Sequence, residues 1–208
     1  MFNVTRPDPG PDCSKDCRSK EVITALKSMF YGKCYLCEND VSDPVVEHFI
    51  PHEGDVTKEY DWNNLYYSCH RCNSIKGTTK ELLDCCDPSI DVLHAIKCLC
   101  PSVSNNNIIV EPQDDSAKTK NTACLLDKCY NENNTGIREI SREELHDKLF
   151  DKYCVFINYR RTMKNKDSLA AEKDNAKEHL KNMMEASYPF SVFWYWHIIS
   201  DPLLNSIF

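Results

Sequence analysis

The sequence predicts an α+β fold: a small zinc-stapled finger of two strands and a helix, embedded in a mainly helical domain. Three observations carry this expectation. Cys-x2-Cys pairs at Cys34/Cys37 and Cys69/Cys72 bracket a Glu47-His48 dyad, with Asn64 and Asn73 flanking the second pair. The run Val45-Val46-Glu47-His48-Phe49-Ile50 is rich in strand-forming residues and is stopped by Pro51. Past residue 140, apolar residues recur at helical spacing. A chain of 208 residues holds one domain, or one core module with a helical extension. The expected division is an N-terminal arm and helix at 1–33, the finger at 34–80, and a mainly helical extension at 81–208.

The elements follow in order. Residues 1–18 are rich in Pro and Asp and are expected to run extended across the surface. Val22, Ile23, Leu26, Met29 and Phe30 mark a helix over 19–31, which Gly32 ends. Lys33 to Cys37 opens the first knuckle, and 62–67 leads into the second, Cys69-His70-Arg71-Cys72. A short helix is expected from near Asn73 to Gly77. Residues 84–110 read as irregular apart from a short strand at 108–110, and 111–119 as a polar loop. Ser141-Arg142-Glu143-Glu144 has the form of a capping box, with Leu145, Leu149, Tyr153 and Phe156 following on one face. A helix over 167–185 and an aromatic one over 190–199, with Pro189 in its first turn, complete the chain.

Composition narrows the classes. The formal net charge is −7, so a surface that grips nucleic acid everywhere is excluded; a local basic strip or a partner must supply the grip. Arg160, Arg161, Lys164 and Lys166 form one basic stretch, expected to be a solvated helix face. The first residues lack an apolar signal segment, and the longest apolar run, 192–199, is too short to span a membrane. A reducing, cytoplasmic setting is expected, in which Cys-x2-Cys pairs hold metal. Cys85/Cys86 and Cys98/Cys100 are badly spaced for tetrahedral ligation and are expected to be buried incidentally. The aromatic C-terminus is expected to pack inward.

The central residues suit phosphodiester hydrolysis. An attacking water must lose a proton, and a mostly neutral histidine such as His48 can take it. Charge building on phosphate and leaving oxygen calls for a hard divalent cation held by one or two protein oxygens, which Glu47 and Asn73 can offer. Strand alternation sends Glu47 and His48 to opposite faces, so both reach one ion only where the backbone bends. Asn64 is expected to fix the loop that aims His48. Lys76 is read either as a phosphate contact or as a solvated helix end.

Glu47-His48-Phe49-Ile50-Pro51, Asn63-Asn64-Leu65 and Cys69-His70-Arg71-Cys72-Asn73-Ser74-Ile75-Lys76-Gly77 together resemble the HNH endonuclease motif of the His-Me finger, or ββα-metal, class. The resemblance implies His48 as general base, Glu47 and Asn73 as ligands of Mg²⁺ or Mn²⁺, and Asn64 as the orienting residue. It also implies Cys34, Cys37, Cys69 and Cys72 as ligands of a structural Zn²⁺. The family's first acid is often Asp, where this chain has the longer Glu47. The N-terminal helix before Cys34, Leu82-Leu83-Asp84-Cys85-Cys86-Asp87-Pro88 and the 121–126 block resemble the HNH nucleases of Septu-type and retron-associated anti-phage systems. That resemblance implies an ABC-type ATPase partner and cleavage of DNA, with RNA as the other candidate. A stand-alone HNH restriction nuclease and a non-catalytic zinc adaptor are the alternatives.

Overall fold

The computed structural model describes residues 1–101 and 106–208. It is a mixed α+β structure, mostly helical, with two separate two-stranded sheets.

Helix α1 spans Lys20–Met29, capped by Ser19, whose hydroxyl accepts the Val22 amide at 3.3 Å. Val22 and Leu26 point into the core. The chain leaves α1 through Tyr31 and Gly32, both at positive φ, which only glycine adopts freely. Strand β1, Pro44–His48, pairs antiparallel with β2, Leu65–Cys69, so that Pro44 faces Cys69 and His48 faces Leu65. The expected strand stops short of Pro51. Beyond His48 the amides of Phe49 and Ile50 turn to the Asn64 carbonyl and side chain instead of the ladder. A short helix α2, Val56–Glu59, and a 3-10 turn at Trp62–Asn64 link the strands.

Helix α3 spans His70–Lys76, three residues earlier than the sequence suggests. The Cys69 sulfur is its N-cap, accepting the Cys72 amide at 3.4 Å, so the second knuckle is the helix's first turn. Gly77, at φ 50°, ends it. The N-terminal arm does not run across the surface as expected. Met1, Phe2 and Val4 are buried, the Val4 amide donates to the Cys85 carbonyl at 2.9 Å, and Gly10 lies so close to Trp62 that a Cβ would sit 2.2 Å from the indole.

The irregular reading of 84–110 is corrected by helix α4, Val92–Ala95, and strand β3, Ile96–Leu99, which pairs antiparallel with β4, Ile109–Pro112. Positions 102–105 of that stretch lie outside the described residues. Four residues of alternation are too few to read alone. Helix α5, Ala117–Asn131, replaces the end of the expected polar loop; it buries Thr119, Thr122, Leu125, Leu126, Cys129 and Tyr130. Helix α6 runs Gly136–Lys164 with Thr135 as its cap, which overturns the capping box at Ser141. Ser141 lies inside the helix and bonds its hydroxyl to the Arg138 carbonyl. Leu145, Leu149 and Phe156 are buried, on the face expected.

Helix α7 spans Ala170–Met183, shorter than expected, with Leu169 exposed at its start. Helix α8, Ser191–Ser200, begins after Phe190 in a left-handed conformation, so Pro189 lies outside it; α9 is Pro202–Asn205. Phe190, Phe193 and Trp194 are buried, and the aromatic C-terminus is core. In the basic stretch, Arg160 and Lys164 both pair with Asp201, at 2.5 and 3.2 Å. One hydrophobic cluster runs from the arm through α1, β2 and α5 to α8. No helix among the described residues is long and apolar enough to cross a membrane.

Candidate functional site

Both knuckles are built by backbone bonds. The Cys34 amide donates to Asn39 O and the Glu38 amide to Cys34 O, each at 2.9 Å, while the Tyr35 amide ties this loop to Tyr67 of β2. The Cys34, Cys37, Cys69 and Cys72 sulfurs all lie within 4.8 Å of one another, and Cys37 Sγ is 3.9 Å from Cys69 Sγ. Sulfurs about 2.3 Å from a tetrahedral zinc stand about 3.8 Å apart, so the four thiols can hold a structural ion such as zinc. Burial pushes the Cys34 thiol up, but hydrogen bonds from the other three outweigh it and hold it well below its ordinary value. Cys37 is raised well above, chiefly by its bond to Cys34, and Cys72 chiefly by its bond to Cys129.

His48 ends β1 half-buried, its Nε2 3.0 Å from the Glu59 carbonyl. A carbonyl only accepts, so Nε2 carries the proton and Nδ1 keeps its lone pair. Burial lowers the pKa of His48, opposed by the Glu59 bond, which leaves the ring neutral at neutral pH. Asn64 laces the loop beyond it: Oδ1 accepts the Ile50 amide at 2.7 Å, and Nδ2 donates to Ile50 O at 2.8 Å and Lys58 O at 3.0 Å. The His52 ring lies 4.7 Å from His48, and the Gly54 amide donates to its Nδ1 at 3.3 Å. His70 is at the surface, 3.3 Å from Asp43.

Glu47 leaves the other face of β1. Its Oε1 is 2.6 Å from Lys76 Nζ, which also donates to the His48 carbonyl at 2.9 Å. Glu47 is 5% exposed and Lys76 1%, so Lys76 neither contacts solvent nor dangles from the helix end, correcting both sequence readings. Burial raises the Glu47 carboxyl, against the attraction of Lys76. Asn73 lies one turn before Lys76 on α3, and no hydrogen bond among the described residues involves its carboxamide or Glu47 Oε2.

Arg71, inside the second knuckle, is the residue that spacing rules miss. Its Nε donates to Cys129 O, its Nη2 to Glu132 O, and its Nη1 to Arg138 O and Ser141 Oγ, at 2.6–2.9 Å. It caps α5 and anchors α6. Nothing local in Cys-His-Arg-Cys signals those distant carbonyls.

Curated proteins are similar to part of this chain. The Septu protein PtuB of Bacillus thuringiensis is 40% identical over 58 residues, which is 26% of this chain and 23% of that protein. The Septu protein PtuB of Bacillus mycoides (strain KBAB4) is 36% identical over 72 residues, 27% of this chain and 24% of that protein. The chain therefore spans about a quarter of the length of the curated relatives it matches. No family model and no solved structure matches the chain. The chain is thus similar to Septu proteins over a limited stretch.

Proposed function

We propose that this chain is a metal-dependent HNH endonuclease that hydrolyses phosphodiester bonds of DNA, working as the nuclease of a Septu-type anti-phage system with an ABC-type ATPase. Residues 34–80 form the catalytic core in this reading, 1–33 brace it, and 81–208 pack on it. The observation that carries the reading is the state of His48: a half-buried, neutral imidazole at a strand end, with Nε2 committed to Glu59 O and Nδ1 free. That is the form a general base needs.

His48 Nδ1 takes a proton from the attacking water, and the Glu59 carbonyl steadies the imidazolium that results. Asn64 fixes the 50–58 loop and thereby the carbonyl that aims the ring. Asn73 and the Glu47 oxygen that Lys76 leaves unbonded would supply the hard donors for a divalent ion, with the Lys76 ammonium beside it. Magnesium or manganese bound there would neutralise charge on the phosphate and the leaving oxygen. The zinc cluster keeps β2 and α3 in register beneath the site. Partial similarity to Septu proteins supports the defence role, and the net charge of −7 suits a nuclease whose partner helps grip nucleic acid.

The test is incubation of the purified chain with supercoiled plasmid and with structured RNA, with Mg²⁺ or Mn²⁺, alone and with an ABC-type ATPase of a Septu-type system. Nicking of plasmid that His48→Ala abolishes is expected. A wild-type chain silent with either metal and with its partner would leave the zinc-adaptor reading standing.

A further inference from the structure

A groove of about 790 Å³, whose lining does not include His48, lies between the N-terminal arm and the 85–91 loop. Cys85 and Cys86 form part of its wall, and Arg6 and His94 line it. Most adjacent cysteines point apart. Here the two sulfurs and an Asp84 carboxylate oxygen lie within 4.8 Å of one another. The turn is held from both sides: Asp84 Oδ1 accepts the Cys86 amide at 2.7 Å and the Tyr66 hydroxyl, and the Cys85 carbonyl accepts the Val4 amide. The thiols differ in access. Cys85 is 1% exposed, whereas Cys86 is only partly buried.

We propose that Cys85 and Cys86 form a thiol-oxidation site for low-molecular-weight disulfides, with Cys86 attacking, Cys85 resolving, and a vicinal disulfide as the product. The Cys86 thiolate attacks one sulfur of the small disulfide, whose S–S bond breaks; the departing thiolate takes up a proton. Cys85 then gives up its proton and attacks the Cys86 sulfur, which expels the second small thiol. The protein dithiol loses two electrons and two protons, and the small disulfide becomes two thiols. Access decides the order, since Cys86 is the less buried of the two cysteines in the groove wall. Room rather than charge admits the ligand, since Asp87 and Asp91 line the same wall as Arg6, whose two Nη atoms are bonded to the Trp62 and Leu65 carbonyls. The thiols' acidities agree with these roles: the Cys85 thiol lowers Cys86, whereas burial first, then Cys86, raises Cys85 well above its ordinary value.

The tryptic peptide 81–97 holds these two cysteines and no other. The purified zinc-containing chain is incubated with oxidised glutathione, quenched with iodoacetamide, digested and weighed. Wild-type peptide 81–97 should lose two hydrogens and resist alkylation, with dithiothreitol restoring two alkyl groups. Cys85→Ser should trap one glutathionyl group on Cys86, and Cys86→Ser should take none. A peptide 81–97 that stays doubly alkylated while the exposed Cys124 and Cys154 are glutathionylated would overturn the proposal. So would equal glutathionylation of Cys85→Ser and Cys86→Ser. Circular dichroism of both serine variants checks that each is folded.

Discussion

Lys76 Nζ of α3 stands 2.6 Å from Glu47 Oε1 of β1, an ion pair buried but for the 5% exposure of Glu47 at the joint of helix and hairpin. Removing one partner strands the other charge in the interior, which costs about 3–5 kcal/mol. Lys76→Met and Glu47→Gln should each lower the urea midpoint accordingly. The double variant should lose clearly less than the sum, because neither charge is then left alone. Additive losses at constant m would mean that the two groups do not stabilise each other.

Zinc binding should be a folding event. Structural zinc contributes about 10–16 kcal/mol of apparent binding free energy, as much as a whole domain's stability. One zinc per chain is expected by elemental analysis. Cys69→Ala also removes the N-cap of α3, so it should melt the hairpin and α3, as should exhaustive chelation. Recovery of helical circular dichroism on adding zinc back to the chelated chain checks the assignment, and an unchanged spectrum in the zinc-free chain would refute it.

His48 and Asn64 should separate chemistry from scaffolding. His48→Ala removes one side chain from a half-buried site and should leave the melting temperature nearly unchanged while cutting nicking by about 10²–10⁴-fold. Asn64→Ala loses three hydrogen bonds to the 50–58 backbone. It should lower activity less, and raise amide exchange at Ile50 first. Similar exchange in both variants would place the two residues in one structural role.

What the sequence shows follows from how far each signal reaches. The two knuckles, β1, β2 and the buried faces of α1 and α6 are written in short spacings, and they read correctly. The cluster of four thiols likewise needs only Cys-x2-Cys twice. What fails to read carries too weak a local signal: β3 and β4 are only four residues each, and α5 hides its buried Thr119 and Thr122 behind a polar composition. The cap at Ser141 looks correct locally, yet the helix starts at Gly136, because Thr135 caps it. Of the candidate site, Glu47, His48 and Asn64 are legible by type, whereas the occupation of Glu47 by Lys76 requires the fold.

Arg71 should be a stability residue despite its place between two zinc ligands. Its guanidinium satisfies the carbonyls of Cys129, Glu132 and Arg138 at the α5–α6 turn. Arg71→Ala should cost on the order of 3 kcal/mol, since several part-buried acceptors lose their donor at once. Arg71→Lys should recover little, because an ammonium lacks the planar fork that reaches all three. Rescue by lysine to wild-type stability would show that charge alone is what matters there.

His197 gives the chain an acid-sensitive seam. The ring stacks on Tyr153 and accepts the Cys100 amide at 3.1 Å, and burial, with Arg160 adding to it, brings its pKa down to about 4. An unfolded histidine titrates near 6.5, so between pH 6.5 and 4 the unfolded chain binds a proton that the folded one refuses. Stability present above pH 6.5 is therefore lost as pH falls to about 4, by up to about 3 kcal/mol, and the loss then levels off. His197→Gln keeps an acceptor for the Cys100 amide without titrating. Its unfolding free energy should be lower at pH 7 for want of the stacked ring, yet flatter across that window. An unchanged slope would move the acid sensitivity to another group.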